Sequence, residues 1–274
     1  MKRLWIVLSI IASITFVGAK PASANSVTLY NFMPNPVPGN VVSEGYECCQ
    51  IYEFGQAMNL AASGSLNNVN LSVLLSNWAL ASTYGQFGIT TGFDVSMTAN
   101  IYALNPGNTV GGVIGSVTTT QHILWRPESD TTCTGSSNPS GGWRDINGNC
   151  WSGIAEMVNF NFGSLTLPGS VAVGIAYNTF SQGYHPTGVH TGADSLNVGL
   201  NNGGAPMVGS NVAIDSVYLA GPGMAFGQQL DWGTYSPTFT LTADSNVATP
   251  EPASMVLLGS GLVVLAARFR RRKA

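Results

Sequence analysis

The chain has 274 residues, enough for one large or two small domains, with ten Lys and Arg set against thirteen Asp and Glu. Most of the positive charge sits at the two ends. Between residues 25 and 249 only Arg126 and Arg144 remain, against twelve carboxylates, for a net charge of −10 without a lysine. Phosphate binding takes clustered Lys and Arg, so nucleic acid and anionic lipid headgroups are excluded as partners of this body.

The chain opens on Met1-Lys2-Arg3, a short positive start, and continues as an apolar run from Leu4 to Ala19 broken only by Ser9, Ser13, Thr15 and Gly18. Ala22-Ser23-Ala24 then supplies the small-x-small pattern that a signal peptidase cuts, which predicts cleavage after Ala24. The run is short for a spanning helix, which takes roughly 20 apolar residues. Residues 1–24 are therefore read as a removable signal helix. No cysteine lies near the junction to carry a lipid.

An exported chain meets an oxidising compartment, where an even cysteine count favours disulfides. The four are Cys48, Cys49, Cys133 and Cys150. Cys133 and Cys150 flank a Gly/Ser/Asn/Pro loop and form the preferred pair. Adjacent Cys48 and Cys49 fit a strained vicinal disulfide, two free thiols, or a cross-bridge to the later pair. No second Cys-x-x-Cys and no His-x-x-x-His completes a zinc site, which argues against zinc.

Strand periodicity begins with Val69, Leu71, Val73 and Leu75 against Asn70, Ser72 and Ser76. Phe93, Val95, Met97, Ala99, Ile101 and Ala103 then alternate with polar residues, as a half-buried strand requires. Val158, Phe160 and Phe162 repeat the pattern, Val171, Val173, Ile175 and Tyr177 alternate with smaller residues, and Leu196, Val198 and Leu200, then Phe239, Leu241 and Ala243, complete the clear cases. Turn formers lie between them: Asn105-Pro106-Gly107-Asn108, Leu167-Pro168-Gly169 and Gly221-Pro222-Gly223. Within 25–249 no window of a dozen residues shows convincing helical spacing. Many short strands with Gly/Pro turns predict an all-β body, a single sandwich or jelly roll over 25–249. Residues 126–151 are expected to form a structured loop pinned by the disulfide.

Asp145, Asn147, Asn149 and Glu156 match much of the oxygen-ligand spacing of a calcium loop. The sixth position should be Gly and is Cys150, and no helix flanks the segment, so an Asx-rich turn leading into a strand fits as well. Structural calcium is the one cofactor left open. His185, His190 and Asp194 lie close in sequence but read as loop residues. No Gly-x-Ser-x-Gly elbow supports a catalytic triad built on Ser195. Glu128/Asp130 and Asp145/Glu156 are the carboxylate pairs a glycoside hydrolase would need. Trp125, Trp143, Trp151, Trp232 and Tyr184 offer ring faces suited to stacking on a sugar; packing in the sandwich or its loops accounts for them equally well.

The C-terminus reads Pro250-Glu251-Pro252, an apolar stretch over 253–267, and a basic end over 268–274. The two prolines hold the peptide extended. The apolar stretch is a marginal transmembrane helix, and the basic end belongs on the cytoplasmic side, leaving the body outside. This order of motif, span and basic end resembles the PEP-CTERM sorting signal of Gram-negative bacteria that make exopolysaccharide. The resemblance implies an exosortase as processing partner, Pro250, Glu251 and Pro252 as substrate residues, and transient anchoring in the inner membrane.

The series Trp125-Arg126-Pro127, Cys133, Trp143, Cys150, Tyr177-Asn178-Thr179, Gly183-Tyr184 and Asp194 to Leu200 resembles, more loosely, secreted bacterial cell-surface β-domains without an agreed activity. Together these readings predict a non-enzymatic surface or biofilm-matrix protein with no catalytic residue. A carbohydrate-binding module, with exopolysaccharide as partner, is the alternative, and a glycoside hydrolase a more distant one.

Overall fold

The computed structural model describes residues 26–84, 91–133, 141–213 and 215–244. The signal-cleavage residues Ala22 and Ala24, the Pro250-Glu251-Pro252 motif, the predicted span 253–267 and the basic end 268–274 lie outside them. No helix among the described residues is long and apolar enough to cross a membrane.

Residues 26–244 form one compact unit whose described residues lie mostly in strands. In chain order these are β1 (Ser26–Asn31), β2 (Val42–Gly45), β3 (Glu53–Asn59), β4 (Gly64–Asn77), β5 (Gly92–Asn105) and β6 (Thr109–Leu124). After them come β7 (Trp143–Arg144), β8 (Cys150–Trp151), β9 (Ile154–Leu167), β10 (Ser170–Tyr177) and β11 (Leu196–Asn202). The last five are β12 (Ser210–Asn211), β13 (Ser216–Gly221), β14 (Met224–Leu230), β15 (Tyr235–Pro237) and β16 (Phe239–Asp244). Two single helical turns, α1 (Tyr46–Cys49) and α2 (Ala81–Tyr84), and a 3-10 turn at Gly192–Ser195 interrupt them.

The strands build two antiparallel sheets packed as a sandwich. One runs β1-β16-β4-β11-β15, with β2 added on β11 and β9 on β4; the other runs β14-β13-β3-β10-β5-β6, with β12 on β3. Alternation explains the packing. Leu71, Val73 and Leu75 of β4, Val158 and Phe160 of β9, and Leu241 of β16 turn inward from the first sheet. Val95, Met97, Ala99 and Ile101 of β5 with Val171, Val173 and Ile175 of β10 meet them from the second, in a single buried core.

The turn formers fall where expected. Asn105 to Thr109 closes the β5–β6 hairpin, Pro168 and Gly169 separate β9 from β10, and Pro222 and Gly223 separate β13 from β14. At one end Asn77 joins the sheets, its Nδ2 donating to the Leu124 carbonyl at 2.6 Å. Beyond that point the chain continues into α2 on one side and Trp125 on the other.

Cys133 and Cys150 form the preferred disulfide, their Cα atoms 5.5 Å apart, and β7 within the loop it closes pairs with β8, which begins at Cys150. Cys48 and Cys49 are exposed free thiols in α1, which resolves the three possibilities the sequence left open.

Candidate functional site

A cleft of about 230 Å³ opens at the sandwich end marked by Asn77. Four separated segments line it: Tyr84 from α2, Phe93 and Asp94 from the start of β5, Trp125 just after β6, and Val189 to Gly192 from the β10–β11 loop. The Tyr84 and Trp125 rings lie 6.3 Å apart with planes within 5° of parallel, and Phe93 tilts against Trp125 at 4.9 Å. The Tyr84 hydroxyl shares a hydrogen bond with Ser195 Oγ at 3.0 Å, which fixes that ring. Asp94 stands exposed at the rim, its Oδ1 2.7 Å from His122 Nδ1. Gly192 is required by sterics, because a Cβ there would fall 2.4 Å from Phe93 Cδ1.

The loop that supplies the cleft wall is held by three carboxylates. Asp194, nearly buried, accepts from Phe180 N at 2.8 Å and Thr191 N at 3.3 Å, and pairs with His190 Nδ1 at 2.8 Å. His190 stacks on Phe180 with ring centroids 3.9 Å apart. Glu47 accepts from the hydroxyls of Thr179 and Ser181 and from Ser181 N. Burial pushes the Glu47 carboxyl up, but the donors on Ser181 and Thr179 outweigh it and hold the group below the usual carboxylate range.

The third is Glu53, fully buried on β3. It accepts from Asn100 Nδ2 at 2.9 Å and from the hydroxyls of Tyr102 and Tyr184 at 2.8–3.0 Å. Its carboxylate lies across Gly174, where any Cβ would be 2.1 Å from Oε1. Here burial wins over the donors and raises the Glu53 carboxyl.

Of the five aromatic residues singled out from the sequence, only Trp125 lines the cleft. Tyr184 is committed to Glu53, and Trp232 tilts against Phe54 at 5.4 Å. Trp143 and Trp151 face each other across the β7–β8 ladder. Trp143 Nε1 donates to the Gly153 carbonyl at 2.7 Å, and Trp151 Nε1 to Asp145 Oδ2 at 2.9 Å. Sequence reasoning missed Tyr84 and took Phe93 only as an inward residue of its strand, since no local pattern links either to Trp125.

Asp145, Asn147 and Asn149 form the Asx-rich turn that the sequence also allowed. Asp145 Oδ1 accepts from the backbone N–H of Asn147 and Asn149, and Oδ2 from Asn149 Nδ2 and Trp151. Donation by Trp151 and Asn149 holds the Asp145 carboxyl down to about 2. Glu156 sits in β9 opposite Leu75, its carboxyl raised by burial against the opposing field of His122. His190 and Asp194 meet through a hydrogen bond, while the backbone N–H of His185 donates to Asn178 Oδ1 at 3.0 Å.

No curated protein and no solved structure gives a significant match to this chain. Residues 248–272 match the family model described as the PEP-CTERM protein-sorting motif, so the chain carries a C-terminal sorting signal that implies export and processing by an exosortase.

Proposed function

We propose that the exported body is a non-enzymatic cell-surface or biofilm-matrix protein that holds a sugar ring of a polysaccharide in the Tyr84–Trp125 cleft. The observation that carries this reading is the near-parallel Tyr84 and Trp125 ring pair beside an exposed carboxylate. Flat aromatic faces suit the C–H face of a pyranose, and Asp94 supplies an acceptor for its hydroxyls. A volume of about 230 Å³ falls below the ~300–1,000 Å³ of drug-sized pockets, which fits one ring of a longer chain. Among the described lining residues Asp94 is the single carboxylate, where glycoside hydrolysis takes two, so the lining favours binding over cleavage.

The test is binding of the full-length chain, purified in detergent, to panels of neutral and acidic polysaccharides. Trp125→Ala is expected to weaken binding by about tenfold or more, equivalent to about 1.4 kcal/mol. Asp94→Ala, a change at an exposed side chain, should weaken it too, and Trp143→Ala should not. No binding to any polysaccharide, or binding by the Trp125 and Asp94 variants that equals the parent's, sinks the saccharide reading. Sorting is tested separately: replacing Pro250-Glu251-Pro252 with alanines should leave the protein in the inner membrane, and normal release would refute that part alone.

A further inference from the structure

We propose that Glu44, Cys48 and Cys49 form a binding site for a thiophilic divalent cation, zinc in the first instance. The sequence shows no zinc spacing, because the three donors come together through the fold and not through a repeated motif. Strand β2 ends at Gly45 and the chain turns at once into α1, so Glu44 at the strand end faces two successive cysteines of the helical turn. The Glu44 carboxylate oxygen and both Sγ atoms lie within 4.8 Å of one another. Bonds of about 2.3 Å to sulfur and about 2.0–2.2 Å to oxygen place neighbouring ligands of a tetrahedral ion roughly 3.5–3.8 Å apart. Small side-chain rotations close that gap. Both thiols are exposed and Glu44 is half-buried, so the rotations disturb no core packing.

The donor set selects the ion. Two thiolates and a carboxylate lie between the all-sulfur sets preferred by Cu(I) and the all-oxygen sets of calcium and magnesium. Three protein ligands leave a fourth tetrahedral position facing solvent. Neither cation of the described body competes for the carboxylate. Arg144 is engaged by Asp130, Thr132 and the Gly148 carbonyl, and Arg126 is buried with its Nη2 on Ser129. The net charge of −10 over 25–249 draws cations toward the surface.

The experiment uses the untagged full-length chain, purified in detergent anaerobically and metal-free. Calorimetric titration with Zn²⁺ should give one saturable equivalent, and Co²⁺ should show thiolate-to-metal charge-transfer absorption. Zinc should also protect Cys48 and Cys49 from a thiol reagent. Cys48→Ser and Cys49→Ser should each weaken binding by more than about tenfold, at least the loss seen when an outer-sphere partner is removed. Glu44→Gln should weaken it as well, while metal-free thermal unfolding of all three variants stays that of the parent. The proposal is overturned by an absence of saturable uptake, by uptake unchanged in both cysteine variants, or by a Co²⁺ spectrum without sulfur bands. Recovery of the two thiols as a Cys48–Cys49 disulfide that excludes zinc would overturn it equally.

Discussion

Replacing both Cys133 and Cys150 with alanine should destabilise the body by about 3 kcal/mol. The disulfide closes a loop with a sequence separation of 17. In the chain-entropy treatment a loop of that size removes about 3 kcal/mol of disorder from the unfolded chain at 25 °C. The folded loop has other ties that survive the substitution. Arg144 donates to Asp130 Oδ2 at 3.3 Å and to Thr132 Oγ1 at 2.9 Å, and Trp143 stays paired with Trp151. Alanine is chosen because Cys133 is buried and serine would add an unpaired hydroxyl there. Urea unfolding of the two proteins is the assay. The midpoint should fall while the slope rises, because the freed unfolded chain exposes more surface. At about 2–4 °C per kcal/mol for a domain of this size, the melting temperature should drop by roughly 6–12 °C. A loss below about 1 kcal/mol would show that the loop restricts the unfolded chain far less than its length requires.

Two further outcomes follow from buried polar groups. Gln56 on β3 shares the inner face with Phe54 and Met58, and neither its Nε2 nor its Oε1 has a partner among the described residues. An unsatisfied buried amide costs about 1–3 kcal/mol, so Gln56→Met, nearly equal in volume, should raise stability by about that amount in urea unfolding; a loss would reveal a partner for the amide. Glu53 has a folded-state pKa raised above its ordinary 4.5, so its protonated form binds the fold better. Its stabilising contribution is complete below about pH 4.5 and is lost as the pH rises through the raised value. The stability of Glu53→Gln minus that of the parent should therefore climb with pH across that window, no more steeply than about 1.4 kcal/mol per pH unit. A difference independent of pH would contradict the assignment.

The strands that the sequence revealed are those in which large apolar residues alternate with polar or small ones, and they include β10, which is buried from Val171 to Tyr177. β5, β10, β11 and β16 match their periodic runs, and β4 and β9 extend theirs by several residues. Strand β3 was illegible for a physical reason. Its sequence EFGQAMN is buried from Glu53 to Met58, with β10 and β13 flanking it and Tyr102 and Tyr184 covering Glu53, and its polar residues Glu53 and Gln56 fall on opposite faces, so neither face reads as apolar. Strand β6 shows no long periodic run, because over most of Thr109–Leu124 it is exposed or half-buried, rich in Gly and Thr, with Ile123 as its buried residue. As an aromatic site the cleft was legible only through Trp125, with His190 noted as a loop residue. Its other walls come from positions 84, 93 and 189–192, which meet through the sheet order and not through sequence proximity. For Trp143 and Trp151 the sequence shows the rings but not that each N–H is committed, to the Gly153 carbonyl and to Asp145.

The same distinction governs the acids. Read as composition, twelve carboxylates against two cations describe a repulsive surface. In the fold Glu47, Glu53 and Asp194 each accept from neutral donors on or beside the β10–β11 loop, and Asp145 does the same within the disulfide loop. Hydrogen bonds from hydroxyls and backbone N–H groups to a carboxylate gain from its charge without requiring a Lys or Arg opposite it. A body so poor in cations can thus keep its loops fixed and its field negative at once. The consequence reaches the cleft directly. Its wall at Val189 to Gly192 is positioned by Asp194 from the 3-10 turn beneath it, so the element that shapes the candidate sugar site belongs to the acidic surplus that excludes nucleic acid.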